Sequence, residues 1–145
     1  MTATVNHVRE VAAVDGRLPD EMLRATRPYI VRGLAAGWPL VRAGRESAAG
    51  AEAYLRGFYR DATVNAMLGP PQIGGRFFYN DDISGFNFHN VRGRLDQVLD
   101  ELAAHRARPD PGAIYVGSTS IDGALPGLRA ENDVDLGGRD ALASI

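Results

Sequence analysis

Cysteine is absent from the 145 residues, and so is lysine, because all 16 basic residues are arginines. Without cysteine there are no disulfides, no thiolate metal sites and no cysteine nucleophile. Without lysine there is no Schiff-base amine, no pyridoxal-phosphate anchor and no lysine of a phosphate-binding loop. Neither sign of charge is in excess, since the net charge is −2 and the pI is near 5.9. That balance leaves no electrostatic footprint for a nucleic-acid partner. No apolar run approaches the roughly 18 residues needed to cross a bilayer, and Met1 to Glu10 has no signal-peptide pattern. The expectation is a cytoplasmic protein with no membrane partner.

What is present suits one soluble domain: 45% of residues are hydrophobic and 23% charged, enough for a moderate core. No internal repeat, low-complexity segment or linker interrupts the chain. Val5, Val8 and Val11 can share a face in an otherwise mixed lead-in. Leu18-Pro19-Asp20-Glu21 opens a short helix, its proline and acids suited to a first turn, with Met22 and Leu23 facing inward. Pro28 ends it, and Tyr29-Ile30-Val31 reads as a strand running into Gly33 and the turn Gly37-Trp38-Pro39. Trp38, the only tryptophan, is expected to plug one end of the core.

Ser47 is placed to cap a helix in which Ala51, Tyr54, Leu55 and Phe58 recur at i, i+3, i+4 and i+7. Thr63 to Leu68 alternates in the manner of a strand. After Gly69-Pro70-Pro71 and Gly74-Gly75, Arg76 to Asn80 reads as an aromatic strand. Asp81 to Gly85 is a turn, and Phe86 to Asn90 a second aromatic segment. Arg94 to Arg106 carries a helical stripe of Leu95, Val98, Leu99 and Leu102. Ala113 to Val116 is expected to be a buried strand, followed by a polar turn and a short helix stopped by Pro126. A polar stretch from Arg129 to Arg139 leads to Ala141–Ile145, which reads as the start of another strand.

The residues that carry chemistry are sparse. His7, His89 and His105 lie far apart, and none opens a His-x-Asp or His-x-Glu pair of the kind an iron site with two histidines and one carboxylate requires. Asp81, Asp82 and His89 can meet across a turn, but turn capping is the competing role for the aspartates. His105 ends a helix, where positive charge suits the dipole. Gly74-Gly75 lacks the strand-to-helix setting of a dinucleotide fingerprint. Ser118, Thr119 and Ser120 suit turn formation and capping better than nucleophilic catalysis. Arg92, Arg94, Arg106 and Arg108 form a basic patch without interleaved aromatics, which favours a solvated face over a nucleic-acid groove. Tyr115 stands apart because it lies within the apolar strand. Its hydroxyl must find a partner if buried, either within the protein or on a ligand.

Taken in order, Tyr29-Ile-Val-Arg-Gly-Leu, Gly37-Trp-Pro, Arg76-Phe-Phe-Tyr-Asn-Asp, Gly85-Phe-Asn-Phe, Ala113-Ile-Tyr-Val-Gly-Ser and Leu125-Pro-Gly-Leu resemble the N-terminal part of the cupin-like family related to JmjC oxygenases. The resemblance implies an α+β fold, with helices packed on the first strands of a double-stranded β-helix, a jelly-roll barrel incomplete in this chain. It makes residues 1–145 the N-terminal portion of a single cupin-like domain. It implies Fe(II) and 2-oxoglutarate as cofactors of an intact parent enzyme of the hydroxylase type. In such relatives the His-x-Asp motif follows a strand resembling Ala141–Ile145, so this chain by itself is expected to be inactive and to retain neither cofactor. Tyr115 matches the tyrosine that hydrogen-bonds a 2-oxoglutarate carboxylate in related asparaginyl hydroxylases. Gly117, facing the same way, would border the substrate pocket. The lysine that completes that carboxylate clamp in the relatives comes after the histidine motif. The competing implication is a non-catalytic cupin-like binding or regulatory module. In either case the substrate is unspecified, and exposed strand edges are expected to drive self-association.

Overall fold

The computed structural model describes residues 7–134. Val5, the side chain of Leu23 and the strand expected over Ala141–Ile145 lie outside what is described. β1 (Arg9–Ala12) and β2 (Tyr29–Arg32) pair in parallel, with Arg9 opposite Tyr29. A parallel pair needs a crossover, and the connection supplies it through the 3-10 turn Asp20–Arg24, which Pro19 precedes. Glu10 and Arg32 join the two strands by two 2.8 Å hydrogen bonds on an exposed face. Neither β1 nor its parallel pairing was legible in the sequence, because all four residues of β1 are exposed or only half-buried.

α1 (Pro39–Glu46) and α2 (Ala48–Phe58) meet at Ser47. Trp38 precedes α1 and is half-buried. Pro39 holds the first position of α1, where its missing N–H costs nothing. Ser47 is extended and serves both helices: its N–H donates to the Ala43 carbonyl at 3.1 Å, and its Oγ accepts from Gly50 N at 2.8 Å. A side chain at Gly50 would place Cβ 3.0 Å from the Ala43 carbonyl, so glycine lets the two helices close.

β3 (Thr63–Gly69) is the central strand of an antiparallel sheet, flanked by β4 (His89–Arg94) and, after α3 (Leu95–His105), by β5 (Ala113–Val116). Its period-2 pattern points Val64 and Ala66, 3% and 1% exposed, toward the core and leaves Thr63 and Asn65 on the other face. Leu99 of α3 packs into that core, with Leu95 and Val98 half-buried beside it, while Leu102 at the end of the stripe is 37% exposed. α4 (Ile121–Ala124) and α5 (Leu128–Glu131) add Ala124 and Leu128. Among the described residues, two of the five buried apolar residues are alanines, so burial contributes modestly here.

Asn132 ties the end of this unit back to its start. Its Oδ1 accepts from Leu40 N at 2.9 Å, and its Nδ2 donates to Tyr54 Oη at 2.9 Å and to the Leu128 carbonyl at 3.0 Å. Tyr54 in turn donates to Glu131 at 2.7 Å. Desolvation, and next the Glu131 carboxylate, push the Tyr54 hydroxyl above its ordinary pKa.

The architecture is α+β, and no closed barrel forms among the described residues. Arg76 to Asn80 is not a ladder strand, contrary to expectation. Only the isolated bridge Tyr79–Phe86 pairs the two aromatic segments, because asparagine side chains take over the hydrogen bonds of the excursion. No described helix is long and apolar enough to cross a membrane.

Candidate functional site

The register decides which way Tyr115 faces. It lies opposite Met67 on β3, out of step with the inward Val64 and Ala66, and therefore on the outer face of the sheet. The strand expected to be buried is only half-buried, and Tyr115 itself is 50% exposed. Four consecutive apolar or aromatic residues cannot reveal which alternate set is inward, and the pairing with β3 chooses. The Tyr115 hydroxyl has no hydrogen-bond partner among the described residues.

Two neighbours brace its ring. The ring lies over Gly117: a Cβ there would fall 2.5 Å from the Tyr115 Oη and Cε1 and 2.6 Å from Cζ. Glycine at 117 leaves room for the tyrosine ring above it, which brings the two expected site residues together. On the other flank Phe77 packs at 5.8 Å between centroids. Phe77 begins a relay of ring contacts through Phe88 at 5.5 Å, Phe86 at 4.9 Å and Tyr79 at 5.3 Å. These rings come from the excursion between β3 and β4. Asn87 clasps it, donating from Nδ2 to the Arg76 carbonyl at 2.8 Å and accepting from Phe78 N at 2.9 Å.

Between the excursion and β5 lies an open groove of about 970 Å³, lined by Gln72, Arg76, the aromatic run Phe77 to Tyr79, and Tyr115. A smaller, mostly apolar pocket of about 270 Å³ opens behind Gly117, toward Leu95, Ile121 and Leu125. Tyr115 borders both.

The other candidates resolve into structural roles. Asp82 accepts from Ser84 N at 3.1 Å and Ser84 Oγ at 2.6 Å, contacts that hold its carboxyl below the ordinary range. Ser120 caps α4 through Gly123 N at 3.2 Å, and Ser118 takes a left-handed turn conformation with φ 55°. His105 sits 3.1 Å from Glu101 at the C-terminal end of α3. Among the described residues no three His, Cys, Asp or Glu side chains are grouped to hold a metal ion.

Most of the basic patch is neutralised. Arg94 contacts Asp96 at 2.6 Å and Asp61 at 3.1 Å, Arg106 contacts Glu52 at 2.7 Å, and Arg108 contacts Glu101 at 2.7 Å. The hydrogen bonds from Arg94, with those from Tyr59 and the Gln97 amide, lower the Asp96 carboxyl to about 2. Arg76, in the groove, was not singled out by sequence reasoning. Its only signal there was its place before the aromatic run.

No curated protein and no solved structure matches this chain. The family model of the cupin-like domain matches residues 16–143. That span includes the three-stranded sheet, the aromatic excursion and the Tyr115–Gly117 pair, and the chain belongs to the cupin-like, JmjC-related domain family.

Proposed function

We propose that this chain forms the N-terminal portion of a cupin-like oxygenase domain of the hydroxylase type, and that Tyr115 donates its hydroxyl to a carboxylate of 2-oxoglutarate. The observation that carries this reading is the placement of Tyr115. It lies on the outer sheet face, its ring is held between Gly117 and Phe77, and its hydroxyl has no partner among the described residues. A carboxylate fits that hydroxyl, which can donate to it without giving up an existing bond.

Iron does not fit the described residues, for want of a converging ligand set. Bound together in an intact domain, Fe(II) and 2-oxoglutarate would supply oxygen activation. The part of this chain is to orient the cosubstrate and border its pocket, and by itself it is inactive. In the jelly-roll reading, the outer sides of β4 and β5, each paired only with β3 among the described residues, are where further strands add. Until they do, such edges favour self-association.

Purified residues 1–145 with Fe(II) are expected to form no succinate from 2-oxoglutarate, and iron-dependent turnover would sink the proposal. In a full-length protein carrying the iron ligands, Tyr115→Phe should weaken 2-oxoglutarate binding about tenfold, the loss of one hydrogen bond to a charged group. Unchanged affinity would return Tyr115 to a packing role. A non-catalytic binding module is the second reading, favoured by the exposed rings Phe78 and Phe86, 68% and 55% exposed. The codons that follow Ile145 separate the two: a His-x-Asp motif supports the oxygenase, and its absence supports the binder.

A further inference from the structure

We propose that the tip of the aromatic excursion, Asp81-Asp82-Ile83, docks into the basic cavity beside β1 and β2 of a second copy of this chain. The tip is strained. Ile83 is 73% exposed and holds φ at 59°, a left-handed conformation. The other non-glycine residues with positive φ among the described residues are two aspartates and a serine, so Ile83 alone of them is β-branched. Aspartate tolerates that region, whereas a β-branched residue is an outlier in it. Glycine or asparagine would make the same turn without strain, so the turn does not account for the side chain at 83. Its position is nevertheless fixed. Ile83 N donates to the Asn80 carbonyl at 3.1 Å, Asn80 Oδ1 accepts from Gly85 N at 3.1 Å, and Asp82 accepts from Ser84 Oγ at 2.6 Å. The same excursion exposes Phe78 and Phe86, so it displays apolar surface that nothing among the described residues covers.

Charge complementarity names the occupant. Asp81 and Asp82 directly precede Ile83, both are exposed, and neither joins an ion pair among the described residues. A matching surface offers an apolar hollow with positive charge at its rim. This chain carries one, a cavity of about 670 Å³ lined by His7, Val8, Arg9, Arg27, Pro28 and Tyr29. No Asp or Glu lines it, and Glu21 reaches Arg9 only at 3.8 Å. Arg9 is held in place by Tyr29: it donates to the phenol oxygen at 3.2 Å, and its guanidinium lies 5.3 Å from the ring centroid. Val8, Pro28 and the Tyr29 ring supply the apolar wall. The volume falls within the roughly 300–1,000 Å³ of sites that enclose a small ligand, which leaves room for Ile83 with a carboxylate beside it. Exposed arginines elsewhere, such as Arg45 and Arg92, do not line this hollow. Tip and cavity are different surfaces, so the contact is heterologous. Each docked copy keeps a tip or a cavity free, and assembly extends as a chain or closes into a ring.

The test is sedimentation velocity of the purified chain at rising concentration, up to about 1 mM, the weak end of specific association. Species larger than a dimer should grow in with concentration and recede in about 0.5 M salt, which screens charges across a partly exposed contact. Asp81→Arg and Arg27→Glu should each weaken association about tenfold. An equimolar mixture of the two variants should recover it, because each chain then meets a partner of opposite charge. Ile83→Asn should weaken association about tenfold through lost apolar burial. The same change should raise the melting temperature, because asparagine accepts a φ of 59° and isoleucine does not. Arg92→Glu is the control and should change nothing, and thermal melts check that each variant folds. If the single reversals leave association intact, it runs through the edges of β4 and β5 and the inference falls. If the mixture fails to recover, Asp81 and Arg27 do not meet and the inference falls as well. An equal loss in Arg92→Glu would mark the attraction as diffuse and refute the site. A monomer at every concentration would overturn the inference outright and leave the tip to a partner of different sequence. None of these outcomes bears on Tyr115, whose role stands or falls separately.

Discussion

Replacing Gly117 with alanine tests the contact on which the site depends. The added methyl would sit 2.5 Å from the Tyr115 Oη and Cε1, at least about 1 Å inside normal carbon contact. The backbone at 117 needs no left-handed conformation, so the cost falls on the ring above it. Displacing the ring sacrifices the Phe77 contact at 5.8 Å, worth about 0.5–1.5 kcal/mol. Forcing the side chain off its rotamer costs a similar about 0.5–1.5 kcal/mol. Because Tyr115 is half exposed and can swing toward solvent, the two do not add fully, and about 1–2 kcal/mol is expected. For a domain of this size that is a drop in Tm of about 3–8 °C. The assay is thermal unfolding of four proteins: wild type, Gly117→Ala, Tyr115→Ala and the double variant. If the ring is the neighbour, Gly117→Ala should cost almost nothing once Tyr115 is alanine. An equal cost in both backgrounds would refute the geometry and, with it, the pairing of Tyr115 with Gly117.

Two further outcomes follow from contacts elsewhere. Asn132→Ala leaves Leu40 N and the Tyr54 hydroxyl without their half-buried partner, and should cost about 1.5–3 kcal/mol in urea unfolding; a shift too small to measure would show that water replaces the amide. Asp96 is held at about 2 against its ordinary 3.8, chiefly by Arg94. A depressed carboxylate contributes stability that is fully present above its ordinary value and is lost as pH falls toward the folded one. The Tm gap between wild type and Asp96→Asn should therefore be constant above about pH 5 and close between about pH 4 and pH 2. A gap that persists at pH 2 would argue against the ion pair.

Local chemistry was legible wherever one element answers to its own period or cap. Ser47 capping α2, the stripe of α3, the alternation of β3 and the halt at Pro126 each depend on residues within about two turns of one another. α1 escaped notice because Gly44 interrupts it and Trp38-Pro39 reads as a turn. The aromatic run from Arg76 looked like a strand because Phe and Tyr favour strands. Yet beyond the one bridge its backbone is bonded by a side chain, that of Asn87, which accepts from Phe78 N and donates to the Arg76 carbonyl.

Long-range pairing decided the rest. The arginine patch is neutralised by acids up to 54 positions away, as with Arg106 and Glu52, and no local pattern announces that. Tyr115 could be picked out from its apolar strand and its family resemblance, but its exposure could not. Side chains alternate with a period of two, so sliding β5 by one residue against β3 would turn Tyr115 inward. Sequence alone settled the elements with a clear period or cap, such as α2, α3 and β3, the kinds of chemistry excluded by the absence of cysteine and lysine, and the family. Tertiary structure chose the face on which Tyr115 stands, seated its ring on Gly117, and brought Arg76 into the same groove, because those facts are set by register and packing between distant segments.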